Sequence, residues 1–146
     1  DIDHFKSYND HYGHQKGDGC LIQIAHLLQE HARREGDVAA RYGGEEFAIV
    51  LPATSLENAT DIAEQMRVAI EDLSIPNRWS SNDNIVTASF GVATIVPQRE
   101  QKSRILLTRA DKALYAAKSR GRNCVVSMSP ELVNNGGGYQ EGEETA

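Results

Sequence analysis

Two adjacent carboxylates, Glu45 and Glu46, directly follow a pair of glycines, Gly43 and Gly44. Apolar segments flank this motif and predict two strands joined by the glycine pair, because both central residues of a type I′ turn need positive φ. Alternation along a strand predicts that Glu45 and Glu46 face opposite sides of the sheet, so that one of them can face a ligand. Taken alone, the motif is more typical of a solvated acidic turn than of a cation site.

Other charged residues help to decide between these interpretations. Asp1 and Asp3 open the chain, and Lys118, Arg120 and Arg122 cluster at the end of the last predicted helix. Two or three carboxylates with nearby cations are typical of magnesium–nucleotide chemistry, in which Mg²⁺ takes one or two protein carboxylates together with phosphate oxygens. Complementation of the helix dipole is the alternative role of the basic cluster.

Two common kinds of site are not indicated. The glycine-rich segment 13–19 lacks the spacing and the Lys-Ser/Thr pair of a P-loop. The histidines His4, His11 and His14 have no further ligand indicated beside them, which favours surface or packing roles over zinc binding.

The composition indicates one globular domain. The chain has 146 residues, enough for a real core, and its net charge of −6 argues against a general nucleic-acid binder. Cys20 and Cys124 show no metal-binding spacing, so we expect two reduced thiols in a cytoplasmic protein. The sequence contains no transmembrane run. The expected cytoplasmic location is compatible with a membrane anchor elsewhere in the full-length protein.

Hydrophobic periodicity and turn residues predict an α+β chain in which helices cover a sheet. Three helices are expected to bury an apolar stripe: Leu21, Ile24, Ala25, Leu28 and Ala32 in the first, Ala59, Ile62, Ala63, Met66, Ala69, Ile70 and Leu73 in the second, and Leu106, Ala110, Ala113, Leu114 and Ala117 in the third. Helices are expected within 1–12, over Asp18–Glu35 with Gly36 as C′ residue, after a capping box at Thr54–Glu57, and over Ser103–Ser119. Strands are expected over Asp37–Tyr42, Phe47–Leu51, Ile85–Val96 with a bulge or close backbone approach at Gly91, and Cys124–Val126. Residues 74–84 are expected to form a loop or small hairpin, and residues 129–146 a flexible acidic tail.

A series of motifs runs in order from residue 1 to about residue 127. They are Asp1-Ile2-Asp3-His4-Phe5-Lys6, Asn9-Asp10, Gly13-His14, Gly17-Asp18, Arg41-Tyr42-Gly43-Gly44-Glu45-Glu46-Phe47, Ser89-Phe90-Gly91-Val92-Ala93, Arg109-Ala110-Asp111-Lys112-Ala113-Leu114-Tyr115 and Ala117-Lys118-Ser119-Arg120-Gly121-Arg122-Asn123. Together they closely resemble the GGDEF family of diguanylate cyclases. The ordered series is far more specific than any one of its motifs.

The resemblance implies a palm-like, ferredoxin-like α+β domain over residues 1–128, with a central, mostly antiparallel sheet flanked by helices and most of the first strand missing from this chain. It implies a diguanylate cyclase that condenses two GTP into cyclic di-GMP and releases two pyrophosphates. It also implies two Mg²⁺ or Mn²⁺ ions per GTP, with Asp1, the main-chain carbonyl of Ile2 and Glu45 as metal ligands. Either Glu45 or a metal-bound hydroxide would accept the proton of the attacking 3′-hydroxyl, which makes Glu45 the candidate catalytic residue.

The resemblance also implies the residues that bind GTP. Asn9 and Asp18 match positions that read the guanine edge, and Lys6, Lys118 and Arg122 match phosphate contacts. A carboxylate only accepts hydrogen bonds, so Asp18 suits the N1 and N2 donors of guanine and not the acceptor edge of adenine. The product is two-fold symmetric, so we expect a homodimer in which each domain holds one GTP, with any sensor domain lying before Asp1.

A second motif, Arg34-Glu35-Gly36-Asp37, resembles the family's RxxD inhibitory site for cyclic di-GMP. Arginine can form a forked contact with phosphate or guanine, and Asp37 can accept from a guanine edge. Without the resemblance, these residues would be a charged helix end and the start of a strand. Gln65 stands where some members have a second inhibitory arginine, so cross-linking of two subunits by product is expected to be weaker.

Two other functions stay open at this point. One is a non-catalytic GGDEF module that binds GTP or cyclic di-GMP and signals by contact, against which the intact Gly43-Gly44-Glu45-Glu46-Phe47 motif argues. The other is a related nucleotidyl cyclase with a different product, against which Asn9 and Asp18 argue.

Overall fold

The computed structural model describes residues 1–80, 84–97 and 104–129. Within these ranges lie four helices and four strands, which confirms the predicted α+β class. In chain order they are α1 (Phe5–Tyr12), α2 (His14–His31), β1 (Val38–Gly43), β2 (Glu46–Val50), α3 (Leu56–Asp72), β3 (Phe90–Ala93), α4 (Arg104–Ser119) and β4 (Val125–Met128). The predicted tail lies outside the described residues except for Ser129, and the predicted loop 74–84 is described except for 81–83.

The described strands form two small sheets. β1 pairs with β2 in antiparallel fashion, and β3 pairs with β4 in parallel, with Phe90 opposite Val125. Isolated antiparallel bridges join Ile2 to Ala88 and Pro76 to Ile85. The described pairs are thus of both kinds, and the single mostly antiparallel sheet, its ferredoxin-like topology and the missing first strand remain predictions.

Residues 1–3 connect the hairpin tip with the segment that leads into β3, through hydrogen bonds of their backbone. The Ile2 N–H donates to the Glu45 carbonyl at 3.2 Å on one side. On the other side the Asp3 N–H donates to Thr87 O, and the Ser89 N–H donates to Asp1 O, each at 2.9 Å. The first residues of the chain therefore lie between the hairpin tip and the segment 87–89, which places their side chains where several elements meet.

The core lies under α1, α2 and α3, whose apolar residues recur at helical spacing. The predicted stripes of α2 and α3 are confirmed at their central positions, and the buried set includes Ile2, Phe5, Tyr8, Leu21, Ile24, Leu28, Met66, Ile70 and Val86. Burying one such large side chain typically contributes about 1.5–3 kcal/mol. Cys20 and Cys124 are free thiols, and burial raises the pKa of Cys20 to about 11, so that its thiol is neutral at physiological pH.

Gly91 allows α4 to lie directly on β3. A Cβ at this position would stand 2.2 Å from the carbonyl oxygen of Ala110 and 2.3 Å from the backbone nitrogen of Leu114. The predicted close backbone approach at Gly91 is confirmed. Ala113 and Ala117 of α4 are fully buried against β4, as the small residues of the predicted stripe indicate.

The predicted bounds of α2 were wrong at both ends. The helix begins at His14 rather than Asp18, because Gly13 takes φ 86° before it and Gly17 is buried beneath Asn9 instead of ending a loop. It ends at His31 rather than Glu35. Residues 34–37 form their own turn, in which the Asp37 carboxylate accepts from the Arg34 N–H, and Gly36 is not the C′ residue. Side chains of this type compete with helical hydrogen bonds in this way.

Two further element predictions need correction. The N-cap of α3 is Ser55, whose hydroxyl accepts from the Asn58 N–H, so the capping box proposed at Thr54 is not formed. The long strand over Ile85–Val96 is regular only at Phe90–Ala93. Its residues change partner along the segment, with the Val86 N–H donating to Ile75 O and the Phe90 N–H to Cys124 O.

Candidate functional site

The hairpin that carries the acidic motif turns one residue later than predicted. Gly43 is the last residue of β1 and pairs with Glu46, so the turn residues are Gly44 and Glu45. Gly44 has φ 53°, whereas Gly43 lies outside the positive-φ region, which excludes a type I′ turn at the glycine pair. The Arg41 guanidinium stabilises the tip, because its Nε donates to the Gly44 carbonyl at 2.8 Å.

This shift removes the argument by which Glu45 and Glu46 were predicted to face opposite sides of the sheet. Glu45 lies in the turn and Glu46 in β2, so strand alternation does not apply to the pair. The two residues nevertheless differ in environment, since Glu45 is half-buried and Glu46 is exposed.

Asp1 and the end of α4 meet beside the hairpin tip. Lys118 Nζ lies 2.8 Å from Asp1 Oδ2, and only 8% of the Asp1 side chain is exposed. The next residue, Ile2, is buried and donates its N–H to Glu45 O. The structure thus brings Asp1, Ile2, Glu45 and Lys118 together from three parts of the chain.

The donors near Asp1 fit a hard divalent cation. Carboxylate oxygens of Asp1 and Glu45 and the main-chain carbonyl of Ile2 would form an all-oxygen set, the kind preferred by Mg²⁺ and Mn²⁺. Within the described ranges, no group of three His, Cys, Asp or Glu side chains could hold a metal ion. A centre here would have two carboxylates, a number that suits Mg²⁺ because this ion keeps positions for phosphate oxygens and water.

Asn9 and Asp18 are positioned by the contact between α1 and α2. A Cβ at Gly17 would stand 1.8 Å from Asn9 Oδ1, so only glycine lets the amide lie against α2. Asn9 Oδ1 is buried and has no hydrogen-bond partner among the described residues. Asp18, the residue after Gly17, is exposed and lines a groove of about 470 Å³ with Arg41 and Phe47 of the hairpin.

Lys6 and Arg122, the other two residues predicted to contact phosphate, lie in different environments. Lys6 lies exposed on α1. Arg122 follows α4 and is half-buried, with φ 68° and its N–H donating to Ala117 O at 3.1 Å. Arg122 therefore belongs to a fixed turn, and Lys6 to a solvated helix surface.

Asp3, which the sequence places beside Asp1 among the candidate carboxylates, is buried behind this site, in contacts that the sequence did not indicate. Asp3 accepts hydrogen bonds from Thr87 Oγ1 at 2.8 Å, Ser89 Oγ at 2.7 Å and the Asn123 N–H at 3.0 Å. A local signal for part of this network exists, because Thr87 and Ser89 stand two residues apart and so share one face of an extended segment. The contact with Asn123 joins residues that are 120 positions apart in the sequence, so no local pattern could indicate it.

Arg34 and Asp37 form a forked ion pair at the other end of β1. Arg34 Nε donates to Asp37 Oδ2 and Arg34 Nη2 to Asp37 Oδ1, both at 3.2 Å. These hydrogen bonds hold the pKa of Asp37 below its usual value. Six residues of β1 separate this pair from the hairpin tip, about 20 Å of extended strand, so the two sites are distinct.

The sequence also missed the residue that holds Arg34 from the side. Arg34 Nη2 donates to Thr54 Oγ1 at 2.7 Å, and the Thr54 hydroxyl donates to Pro52 O at 3.0 Å. Thr54 is therefore bonded to the RxxD turn rather than to the first turn of α3.

Comparison with known proteins assigns this arrangement to a family. The family model for the diguanylate cyclase GGDEF domain matches residues 1–124. The diguanylate cyclase VdcA of Vibrio cholerae is 46% identical over 129 residues, which cover 88% of this chain and 37% of that protein. The diguanylate cyclase DgcM of Escherichia coli K12 is 43% identical over 129 residues, or 87% of this chain and 29% of that protein. The chain thus spans about a third of the length of these relatives.

Solved structures agree with the sequence comparison. The GGDEF domain of DgcB from Caulobacter crescentus, in complex with c-di-GMP, superposes with a TM-score of 0.75 at 37% identity, covering 87% of this chain and 73% of that one. The active GGEEF domain of a diguanylate cyclase from Vibrio cholerae gives a TM-score of 0.72 at 34% identity, covering 88% and 79%. None of the helices in the described part of the chain is both long and apolar enough to cross a bilayer. By sequence and by fold, this chain belongs to the GGDEF domain family of diguanylate cyclases.

Proposed function

We propose that this chain is the catalytic domain of a diguanylate cyclase, which condenses two GTP into cyclic di-GMP with release of two pyrophosphates. The observation that carries the proposal is the arrangement at the hairpin tip. There the main-chain carbonyl of Glu45 accepts from the Ile2 N–H, and the neighbouring Asp1 carboxylate pairs with Lys118. Carboxylates next to a cation suit a triphosphate with its divalent ions. Family membership supplies the reaction type.

In this proposal Asp1, the Ile2 carbonyl and Glu45 would hold two Mg²⁺ or Mn²⁺ ions, whose charge would polarise the α-phosphate and stabilise the departing pyrophosphate. The 3′-oxygen of one GTP attacks the α-phosphorus of the other, and the bond to pyrophosphate breaks. Glu45 is half-buried at the tip and accepts the 3′-hydroxyl proton. Lys6, Lys118 and Arg122 bind the phosphates, the arginine as a fork and the lysines as point charges.

Asn9 and Asp18 read the guanine base. Gly17 brings Asn9 against the turn of α2 that carries Asp18, and both residues face the α1–α2 junction or the adjoining groove. The Asp18 carboxylate accepts from guanine N1 and N2, and would lie against an acceptor if adenine were bound. This arrangement supports selection of GTP.

One domain holds half of the reaction in this proposal. A single set of Asn9, Asp18 and Glu45 binds one GTP, so two domains facing each other in a homodimer align the two attacks. A sensor domain N-terminal to this chain would control that encounter, in keeping with the share of its relatives that the chain spans.

Product inhibition through Arg34 and Asp37 is the regulatory part of the proposal. The fork of Arg34 is already aligned by Asp37 and Thr54, and 51% of its side chain is exposed to an incoming ligand. A bound guanine or phosphate could share the remaining guanidinium donors. Cyclic di-GMP at this end of β1 would restrain the strand that leads to the catalytic hairpin.

Incubation of the full-length protein with GTP and Mg²⁺, followed by identification of the product by mass, tests the proposal. Cyclic di-GMP and pyrophosphate are expected. A cyclic product of another mass would favour a different nucleotidyl cyclase. Tight binding of GTP or cyclic di-GMP without any product, in a sample shown to be folded and dimeric, would favour the non-catalytic module.

A further inference from the structure

We propose that Asp3 is a positioning residue for the phosphate site, which acts by fixing the Gly121–Asn123 turn that carries Arg122. This inference rests on the proposed function, because it gives Arg122 its phosphate role. Asp3 itself binds neither substrate nor metal in this proposal. Its carboxylate is an anchor that holds the turn to residues 1–3, next to the metal ligand Asp1.

The Asp3 carboxylate is buried and fully engaged. Only 2% of the residue is exposed. Oδ2 accepts from Thr87 Oγ1 and from the Asn123 N–H, while Oδ1 accepts from Ser89 Oγ. A buried charge needs several donors to offset its lost hydration, and these three contacts are of the strong, charge-assisted kind. The engagement of both oxygens separates Asp3 from Asp1, whose carboxylate faces Lys118.

The turn that Asp3 holds is of a kind that needs an anchor. Gly121, Arg122 and Asn123 have φ values of 108°, 68° and 46°, so three consecutive residues lie in the left-handed region. That region is disfavoured for residues with a Cβ, asparagine less than others, and two such residues in succession are rare. Contacts from outside the turn must therefore select this conformation, and the Asp3–Asn123 hydrogen bond is one of them.

A second contact, from α3, holds the same residue through its side chain. Asn123 Oδ1 accepts from Arg67 Nη1 of α3 at 2.8 Å. Arg67 is itself fixed by Glu64 and Glu71, and its hydrogen bonds with these carboxylates raise its pKa further above neutrality. The backbone and side chain of Asn123 are thus fixed by different elements, and Arg122 directly precedes this fixed point.

The same geometry relates the anchor to the proposed metal ligand. Asp1 and Asp3 flank Ile2, which forms an antiparallel bridge with Ala88, so their side chains lie on the same side of the backbone at this bridge. On that side Asp1 contacts Lys118 at the end of α4, and Asp3 contacts Asn123 after it. The segment 1–3 therefore fixes two of the three proposed phosphate-binding cations near the metal ligand, Lys118 by direct contact and Arg122 through its turn. Small misplacements of such groups lower rates strongly.

A double-mutant cycle between Asp3 and Arg122 tests the inference. The probe is 3′-deoxy-GTP with Mg²⁺, which lacks the attacking hydroxyl, so that equilibrium affinity is measured without turnover. We expect Asp3→Ala to weaken binding about tenfold in the natural background, and less than about twofold in an Arg122→Ala background, because the anchor acts through Arg122. A purely structural role would weaken binding equally in both backgrounds, which would overturn the inference.

Conservative variants keep the test decisive if Asp3→Ala does not fold. The amide of Asp3→Asn can keep its oxygen at the Oδ2 position and donate to Ser89 Oγ, so we expect a folded protein. Probe binding should be about threefold weaker in Asp3→Asn, and this difference should disappear in the Arg122→Ala background. Ser89→Ala is the matched control, because it removes a donor to Asp3 but leaves the contact with Asn123. It should lower thermal stability while leaving probe affinity within about twofold of the natural protein.

The outcomes separate this inference from the proposed function. If Arg122→Ala alone leaves probe affinity unchanged, the phosphate role of Arg122 is wrong, and the inference falls with it. If Arg122→Ala weakens binding and the effect of Asp3→Asn is the same in both backgrounds, the proposed function stands and the anchor role of Asp3 is wrong.

Discussion

The ammonium group of Lys118 lies 2.8 Å from the Asp1 carboxylate, and so joins the end of α4 to the proposed metal ligand. The family resemblance assigns Lys118 to phosphate binding, whereas the structure places it as the counter-ion of Asp1. Both roles fit one sequence of events. A divalent cation at Asp1 would repel the ammonium group, which would then be free to contact the phosphates that arrive with the metal.

From this pair we predict opposite effects of Lys118→Gln on metal and on nucleotide. Without the competing ammonium group, Mn²⁺ alone should bind about two- to fivefold more tightly, the range expected for a partly exposed ion pair. The KM for GTP should rise, because a phosphate contact is lost. Calorimetric Mn²⁺ titration without nucleotide, with exposed Lys112→Gln as control, measures the first effect. Weaker Mn²⁺ binding would show that Lys118 supports the metal ligand instead of competing with the metal.

Glu45→Gln should abolish turnover and leave the fold intact. The amide keeps the size of the side chain and the turn geometry at Gly44–Glu45, but it removes one metal-binding charge and the proposed base. We expect kcat to fall to less than about a tenth, or more than about 1.4 kcal/mol of barrier. Unchanged circular dichroism and melting temperature, with Glu57→Gln on the exposed start of α3 as control, would show that the loss is chemical. Activity above that level would remove Glu45 from the mechanism.

Asp18 should set the preference for GTP over ATP. Adenine would place an acceptor against the carboxylate and leave it unpaired, which typically costs several kcal/mol. The ratio of kcat/KM for the two nucleotides should therefore be large in the natural protein and fall at least about tenfold in Asp18→Asn. The exposed Asp10→Asn on α1 is the control. Comparable kcat/KM for GTP and ATP in the natural protein would end this assignment and weaken the cyclase proposal.

The elements that the sequence predicts well are those specified by neighbouring residues. The apolar stripe of α3 led to Ala63, Met66 and Ile70, all buried, and Gly91 marked the close approach of α4 to β3. The hairpin turns one residue later than the glycine pair predicts. The Arg41 contact with the Gly44 carbonyl helps to fix this turn, and the glycine pattern gives no information about that contact. Short-range patterns therefore specify which element forms more reliably than where it turns.

The parts of the site that the sequence does not reveal depend on long-range contacts. Asp3 meets Asn123, and Arg34 meets Thr54, pairs far apart in the chain with no periodicity that relates them. Burial of the Asp3 carboxylate is acceptable only because three donors converge on it, and two of them come from residues 87–89. Such convergence arises only in the folded chain. From the sequence, only the resemblance to a family could have indicated that these parts of the chain lie close together.

Specific activity should rise with protein concentration if each domain holds half of the reaction. It should level off once dimers dominate, because both attacks need two facing domains. Initial rates over about a hundredfold dilution, with sedimentation at the same concentrations, measure this. Constant specific activity in a range where sedimentation detects monomers would contradict the half-site arrangement.

Arg34→Ala should weaken cyclic di-GMP binding and relieve product inhibition, while metal binding at Asp1 and Glu45 persists. Loss of a forked, charge-assisted contact typically costs about 1.5–3 kcal/mol, or about tenfold to a hundredfold in affinity. The catalytic site should be spared, because β1 separates it from Arg34. The matched control is Arg33→Ala, which removes the neighbouring guanidinium, whose Nε donates to the Glu30 carbonyl rather than to Asp37. Calorimetric Kd for cyclic di-GMP and initial GTP turnover are compared in both variants. Equal product affinity in the natural protein and in Arg34→Ala would leave Arg34 as a charged residue that only stabilises the turn before β1.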